Sequence, residues 1–219
     1  MTEDSTSPAG REPVVLEYPL RGHFRARNSP ARRVPSHGTH LMGTTYAIDL
    51  VPVDARGRVA ARSWRTLLAT EQPGDFLGFG APVLAPSAGT VVIAHDGEDD
   101  HEARRSQVAL LAYLAGQARR VRDGPAAIAG NHVVIAIGTS GPFVLVAHLR
   151  RDSLRVRVGD RVVAGRPLAE CGNSGNSTQP HVHLQVTDSI EWNSARGLPL
   201  AFRTSTGTEL PAESQILLR

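Results

Sequence analysis

The sequence predicts a mainly β protein, a small antiparallel sandwich or barrel-like fold with one inserted α-helix. Short β-branched or alternating runs recur along the chain, each bounded by Gly, Pro, Asn or Asp. One segment, residues 101–121, instead repeats apolar residues at helical spacing: Val108, Leu111, Ala112, Ala115 and Ala118. Many strands with a single helix fit sheet-on-sheet layers better than a βαβ alternation.

The elements follow in order. Residues 1–12 are polar and acidic at first, so they read as a disordered N-terminal tail. They contain no apolar core of the kind a secretory signal needs, which by sequence alone points to the cytoplasm. Residues 14–18 are a short β-prone run, and an Arg- and Pro-rich loop fills 25–40. Residues 45–53 (TYAIDLVPV) are a strand, and 63–80 are irregular. Residues 82–85 and 89–94 flank PSAG as a hairpin-like pair. The helix at 101–121 follows, with Asp99 or Asp100 as a possible cap and Gly124-Pro125 past its end. Strands are then expected at 132–137, 143–149, 154–158, 161–163, 167–170 and 182–187. This gives a domain over 13–205, with a helical insertion at 96–129 and a C-terminal tail at 206–219.

Composition removes several classes. The 219 residues are 41% hydrophobic and 21% charged, which excludes a disordered chain, a collagen and a coiled coil. No apolar run approaches the roughly 20 residues that span a bilayer as a helix. The single Cys171 cannot form an internal disulfide and is expected as a small buried apolar residue. All 24 basic residues are arginine. They are scattered, and aromatics are only 5%, so few stacking platforms exist and no nucleic-acid partner is expected.

Three segments carry chemistry. In PHVHLQV, residues 180–186, His181 and His183 are two apart on a strand, so both rings point to one face. In SHGTHLMGTTYAIDLV, residues 36–51, Asp49 sits mid-strand among apolar neighbours, where an unpaired carboxylate is costly. His37 and His40 lie just upstream in a glycine-bearing loop. Two His and one Asp would make an open zinc site, with three protein ligands and a fourth position for water. In FVLVAHLR, residues 143–150, His148 ends an apolar strand.

Together these segments resemble the lysostaphin-type (LytM-like) zinc metallopeptidases, which cut peptide bonds in bacterial cell-wall peptidoglycan. The matching stretches run in the family's order over about residues 21–202. They are the His…Asp segment at 37–49, GAPVLAPSAGTVV at 80–92, GNHVVIAI at 130–137, VAHL at 146–149, VRVGDRVVAGRPLAECGNSGNST at 156–178, and PHVHLQV. The resemblance implies a duplicated hybrid β fold, a Zn²⁺ cofactor, and a peptide or peptidoglycan substrate. It implies Asp49 and His183 as zinc ligands, and His148 and His181 as catalytic histidines. Such enzymes usually work outside the cell or in the periplasm.

The sequence departs from the family in one place. The usual His-x-x-x-Asp would put a histidine four residues before Asp49, where Thr45 stands. The remaining ligand then comes from His37, or from His40 as the alternative. His37 is favoured, because the Ser-His-Gly setting lets the backbone turn its ring inward. Two rival readings stay open: a non-hydrolytic binding or regulatory module of the same fold, and an intracellular zinc enzyme acting on another small substrate in a biosynthetic pathway.

Overall fold

The computed structural model describes residues 11–60, 71–103 and 125–219. Its strands are β1 (Val14–Leu16), β2 (His23–Arg27), β3 (Ile48–Pro52), β4 (Pro82–Leu84), β5 (Gly89–His95), β6 (Asn131–Ala136), β7 (Phe143–Leu149), β8 (Arg161–Val162), β9 (Pro167–Glu170), β10 (Val182–Thr187), β11 (Leu200–Thr204), β12 (Gly207–Glu209) and β13 (Ile216–Leu218). Among the described residues one short α-helix, α1, covers Pro125–Ala129, and 3-10 segments cover Leu41–Tyr46 and Pro73–Asp75.

Eight strands make one antiparallel sheet in the order β13-β2-β3-β10-β7-β6-β5-β8. A three-stranded sheet, β1-β11-β12, and the pair β4-β9 complete the fold. The expected mainly β, antiparallel architecture is what forms, with one parallel pairing between β1 and β11. Alternation along the strands divides the large sheet into two faces. Ile48, Leu50, Val144, Val146, Val182 and Leu184 enter a single apolar cluster that also holds Leu16, Phe202, Val83 and Leu168 from the smaller sheets. Burial at this seam, at about 25 cal/mol per Å² of apolar area, is what holds the layers together. The opposite face carries Asp49 and His183, with a smaller apolar group of Val134, Leu145 and Ala147 beside them.

Several elements differ from the sequence reading. The stretch 82–94 is not a hairpin. Leu84 and Ala85 donate to Pro19 and Arg166, so β4 pairs with β9 while β5 pairs with β6 and β8. Residues 154–158 form no strand; Arg155 makes one ladder-like bond to Leu168. The Arg-rich run at 23–27 is a strand, because Phe24 and Ala26 point into the core while the arginines alternate outward. Residues 206–219 are not a loose tail. They carry β12 and β13, Leu217 is buried, and Arg219 lies over the Tyr18 ring and pairs with Glu209.

Most of the expected helix at 101–121 falls within residues 104–124, which, like residues 1–10, lie outside the described residues. Residues 101–103 are not helical, and Ala103 instead bridges to Glu71. Asp100 does not cap: its carboxylate accepts from the Asn173 and Arg151 amides. No helix among the described residues is long and apolar enough to cross a membrane.

Candidate metal centre and active site

Asp49 and His183 face each other directly across the β3–β10 pair. Residues opposed in an antiparallel ladder share a face, so the carboxylate and imidazole meet without any loop having to place them. Asp49 Oδ1 lies 2.9 Å from His183 Nδ1. His181, just before β10, is on the same face, with Nε2 3.6 Å from Asp49 Oδ1.

His37 arrives differently. The chain from 36 to 46 folds back on itself, with the Ser36 amide and hydroxyl donating to the carbonyls of Thr45 and Thr44. That closure brings His37 Nε2 to 3.3 Å from both Asp49 oxygens. The loop packs against β10 through Gly43, whose φ is +74° and where a Cβ would lie 2.3 Å from Thr187 Cγ2. Only glycine meets both demands. His40 is exposed and bonds Thr45 Oγ1 at 3.1 Å, away from the cluster. Of the two upstream histidines, His37 is therefore the one beside the carboxylate.

His148 depends on a second irregularity. Regular alternation from Val144 and Val146 would send it into the apolar core. Between Asn131↔Leu149 and Val133↔Val146, however, β7 has one residue more than β6, and His148 adopts φ +61°. Such a bulge reverses which face the following residues occupy. Leu149 takes the core position, and the His148 ring turns to 4.8 Å from the His181 ring and 5.8 Å from His183. A non-glycine residue held in this backbone region marks a place where the surroundings dictate the conformation.

Hydrogen-bond partners fix the tautomers. Backbone carbonyls only accept, so His148 Nδ1, 3.0 Å from the Ser174 carbonyl, and His181 Nδ1, 2.8 Å from the Gln179 carbonyl, both carry protons. The Ser36 hydroxyl, 3.2 Å from the Thr44 carbonyl and 3.0 Å from His37 Nδ1, accepts from Nδ1 when it donates to Thr44. Gln185 Nε2 donates to the Met42 carbonyl at 2.8 Å, which leaves its Oε1 to accept from His183 Nε2 at 3.0 Å. In the neutral rings, His37 Nε2 and His183 Nδ1 are then bare and aimed at a carboxylate. One donor atom from each of His37, Asp49 and His183 lies within 4.8 Å of the other two.

A cluster made only of acceptors calls for positive charge. The donor set, two imidazole nitrogens and one carboxylate, fits Zn²⁺. Asn28 Nδ2 donates to Asp49 Oδ2 at 2.7 Å and holds the carboxylate in place.

Burial by itself would push the Asp49 carboxyl up. The neighbouring histidines, His181 and His37 foremost, outweigh it and hold the group well below the usual carboxylate range. Burial, with the charges of His181 and His183, drives His148 well below the ordinary imidazole value. His181 goes the other way: burial opposes protonation, but the Asp49 charge and hydrogen bond outweigh it and raise the ring.

The loop 172–176 that holds His148 is itself tied down. Asp100 accepts the Asn173 amide at 2.6 Å, His101 Nε2 donates to the Gly175 carbonyl at 2.8 Å, and Ser174 Oγ donates to the Leu149 carbonyl at 2.8 Å. Asn131 is buried and clamps Glu98 and Leu149. Cys171 is buried, and burial pushes its thiol far up, so it is no nucleophile. Sequence reasoning missed Asn28, Ser36 and Gln185. For Gln185 a signal existed, since it lies two residues beyond His183 on the same strand face.

Comparison with known proteins adds the family. Residues 75–194, more than half of the chain, match peptidase family M23. That stretch contains His148, His181 and His183 and stops short of His37 and Asp49, which only the fold brings to them. A glycyl-glycine endopeptidase, ALE-1 of Staphylococcus capitis, is 39% identical over 61 residues, 27% of this chain and 17% of that protein, so the chain matches only a small part of its length. The catalytic domain of the antimicrobial peptidase lysostaphin from Staphylococcus simulans aligns at 24% identity and a TM-score of 0.36, covering 56% of this chain and 70% of that one. The M23 metalloprotease pseudoalterin aligns at 14% identity and a TM-score of 0.41, covering 85% and 75%. The chain belongs to peptidase family M23.

Proposed function

We propose that this peptidase is a zinc-dependent endopeptidase acting on peptidoglycan or a related peptide, with His37, Asp49 and His183 as metal ligands and His148 and His181 as catalytic histidines. The observation that carries the reading is the convergence of bare His37 Nε2, bare His183 Nδ1 and the Asp49 carboxylate on one sheet face. The side chain of His37 is 20% exposed, so the cluster opens to solvent on that side.

Zinc held there would lower the pKa of a bound water toward about 7 and polarise the scissile carbonyl. The chain's own groups divide the proton work. His148 keeps Nδ1–H on the Ser174 carbonyl and offers a bare Nε2, so it takes the proton of the attacking water. His181, anchored through Nδ1–H by the Gln179 carbonyl and held toward its protonated form by Asp49, presents a protonated Nε2 toward the oxygen that develops charge and toward the departing amine. The substrate class draws on the resemblance to cell-wall peptidases and on the endopeptidase relative.

The test begins with metal content. Purified protein should hold close to one zinc per chain, and Asp49→Ala should hold none. Incubation with muropeptides and glycine-rich peptides should then release new amino termini. Zinc without cleavage of either would remove the peptidoglycan assignment, and absence of zinc in the unaltered protein would remove the metalloenzyme itself.

A further inference from the structure

Gln185 is a fully buried polar side chain on β10 that neither the family match nor the proposed chemistry assigns a task. Its two ends are committed in opposite directions. The amide nitrogen donates to the Met42 carbonyl, 143 residues away in sequence, and the amide oxygen accepts from His183 Nε2. Reversing the amide would set an oxygen against the Met42 carbonyl, two acceptors with no proton between them. One orientation is therefore enforced. It forces the proton of neutral His183 onto Nε2 and leaves Nδ1 free on the side of Asp49 and His37.

The Met42 end matters equally. Met42 and Gly43 both have positive φ, 54° and 74°, within the loop that carries His37. In that conformation the Met42 carbonyl points at Gln185, and Gly43 lies against Thr187, the next residue on the same face. One amide thus links the strand bearing His183 to the loop bearing His37.

We propose that Gln185 is the positioning residue of the metal centre: it selects the His183 tautomer whose Nδ1 binds the ion and locks the His37 loop onto β10. This rests on the metal reading above. An outer partner of a metal-binding histidine typically changes metal affinity by about 10- to 100-fold.

The two arms separate by substitution. Gln185→Met keeps the volume and loses both hydrogen bonds. Gln185→Glu keeps an acceptor for His183 Nε2–H and loses the donor to Met42. Three measurements apply to the full-length protein: histidine ¹⁵N NMR on the metal-free form at alkaline pH, Zn²⁺ affinity by chelator competition, and the visible spectrum of the Co²⁺-substituted form.

The unaltered protein should show His183 protonated at Nε2. Gln185→Met should give mixed tautomers, a roughly 10- to 100-fold weaker Zn²⁺ affinity and an altered Co²⁺ spectrum. Gln185→Glu should restore the tautomer and part of the affinity. An Nδ1–H tautomer in the unaltered protein, which needs no variant to fold, overturns the proposal. So does a Gln185→Met protein with unchanged tautomer and affinity. If the unaltered protein binds no Zn²⁺ while the Nε2–H tautomer is present, the metal reading has failed and the tautomer assignment stands by itself.

Discussion

Asp49 and His183 reach the site by strand register, whereas His37 and His148 reach it through irregular backbone. The first two face each other across a regular ladder, at the centre of an eight-stranded sheet and over a packed core. Neither can move without shifting its whole strand, because a one-residue slip would turn that strand's side chains to the other face. His37 instead depends on a loop closed by Ser36 and seated through Gly43, and His148 on an extra residue in β7 with positive φ. The regular half of the site supplies a rigid base. The irregular half admits side chains that alternation alone would exclude, and it is where small backbone changes should be felt.

The largest effect should come from the regular half. Asp49→Ala should abolish zinc binding and lower kcat/KM by about a thousandfold or more, equivalent to several kcal/mol of transition-state stabilisation. Metal analysis and peptide hydrolysis together check this. Retained zinc would mean that the strand pair is not the base of the site.

His148→Ala tests the bulge. It should lower kcat by roughly 10²- to 10⁴-fold with zinc content unchanged, since the role proposed for it is proton transfer without metal ligation. Loss of zinc in this variant would place the bulge among the ligands and erase the division between the two halves.

The strand opposite the bulge gives a pH test. His132, on β6, is buried, and burial pushes its pKa down to about 4 against an ordinary 6.5. The unfolded chain therefore binds the extra proton between these values. Stability should be full above about pH 6.5 and fall as pH drops toward about 4, by at most about 3 kcal/mol from this group. Denaturant titrations across that window, repeated with His132→Phe, should show a shallower acid loss in the variant; an identical slope would assign the loss to other groups.

The smallest effect tests the loop. Gly43→Ala puts a methyl group against Thr187 at a positive φ, and it should displace the His37 loop while the sheet stays intact. We expect a roughly tenfold weaker zinc affinity with little change in Tm. A large drop in Tm would show that the loop supports the fold as well as the site.

What could be read from the sequence was whatever depends on neighbours along the chain. Short β-branched or alternating runs between turn residues marked β1 and β3 to β10, and side chains two apart on a strand share a face. His181 and His183 were placed on one face for the same reason, and Asp49 stood out as an acid inside an apolar run. Strands β2, β11, β12 and β13 were not read from the sequence: arginines hid β2, and β12 and β13 are only three residues each. β12 and β13 are sheet edges, where local propensity is weak and pairing decides.

Tertiary structure alone decided the rest. That β3 lies beside β10 is a contact across 134 residues, which no local pattern encodes. Which upstream histidine meets Asp49 followed from loop closure onto Thr187. The facing of His148 followed from a one-residue mismatch between two strands, a property of the pair and of neither strand by itself. Residue types and spacing along the chain set which groups were available for chemistry; register, bulge and loop closure set which of them meet, because those depend on the partner strand.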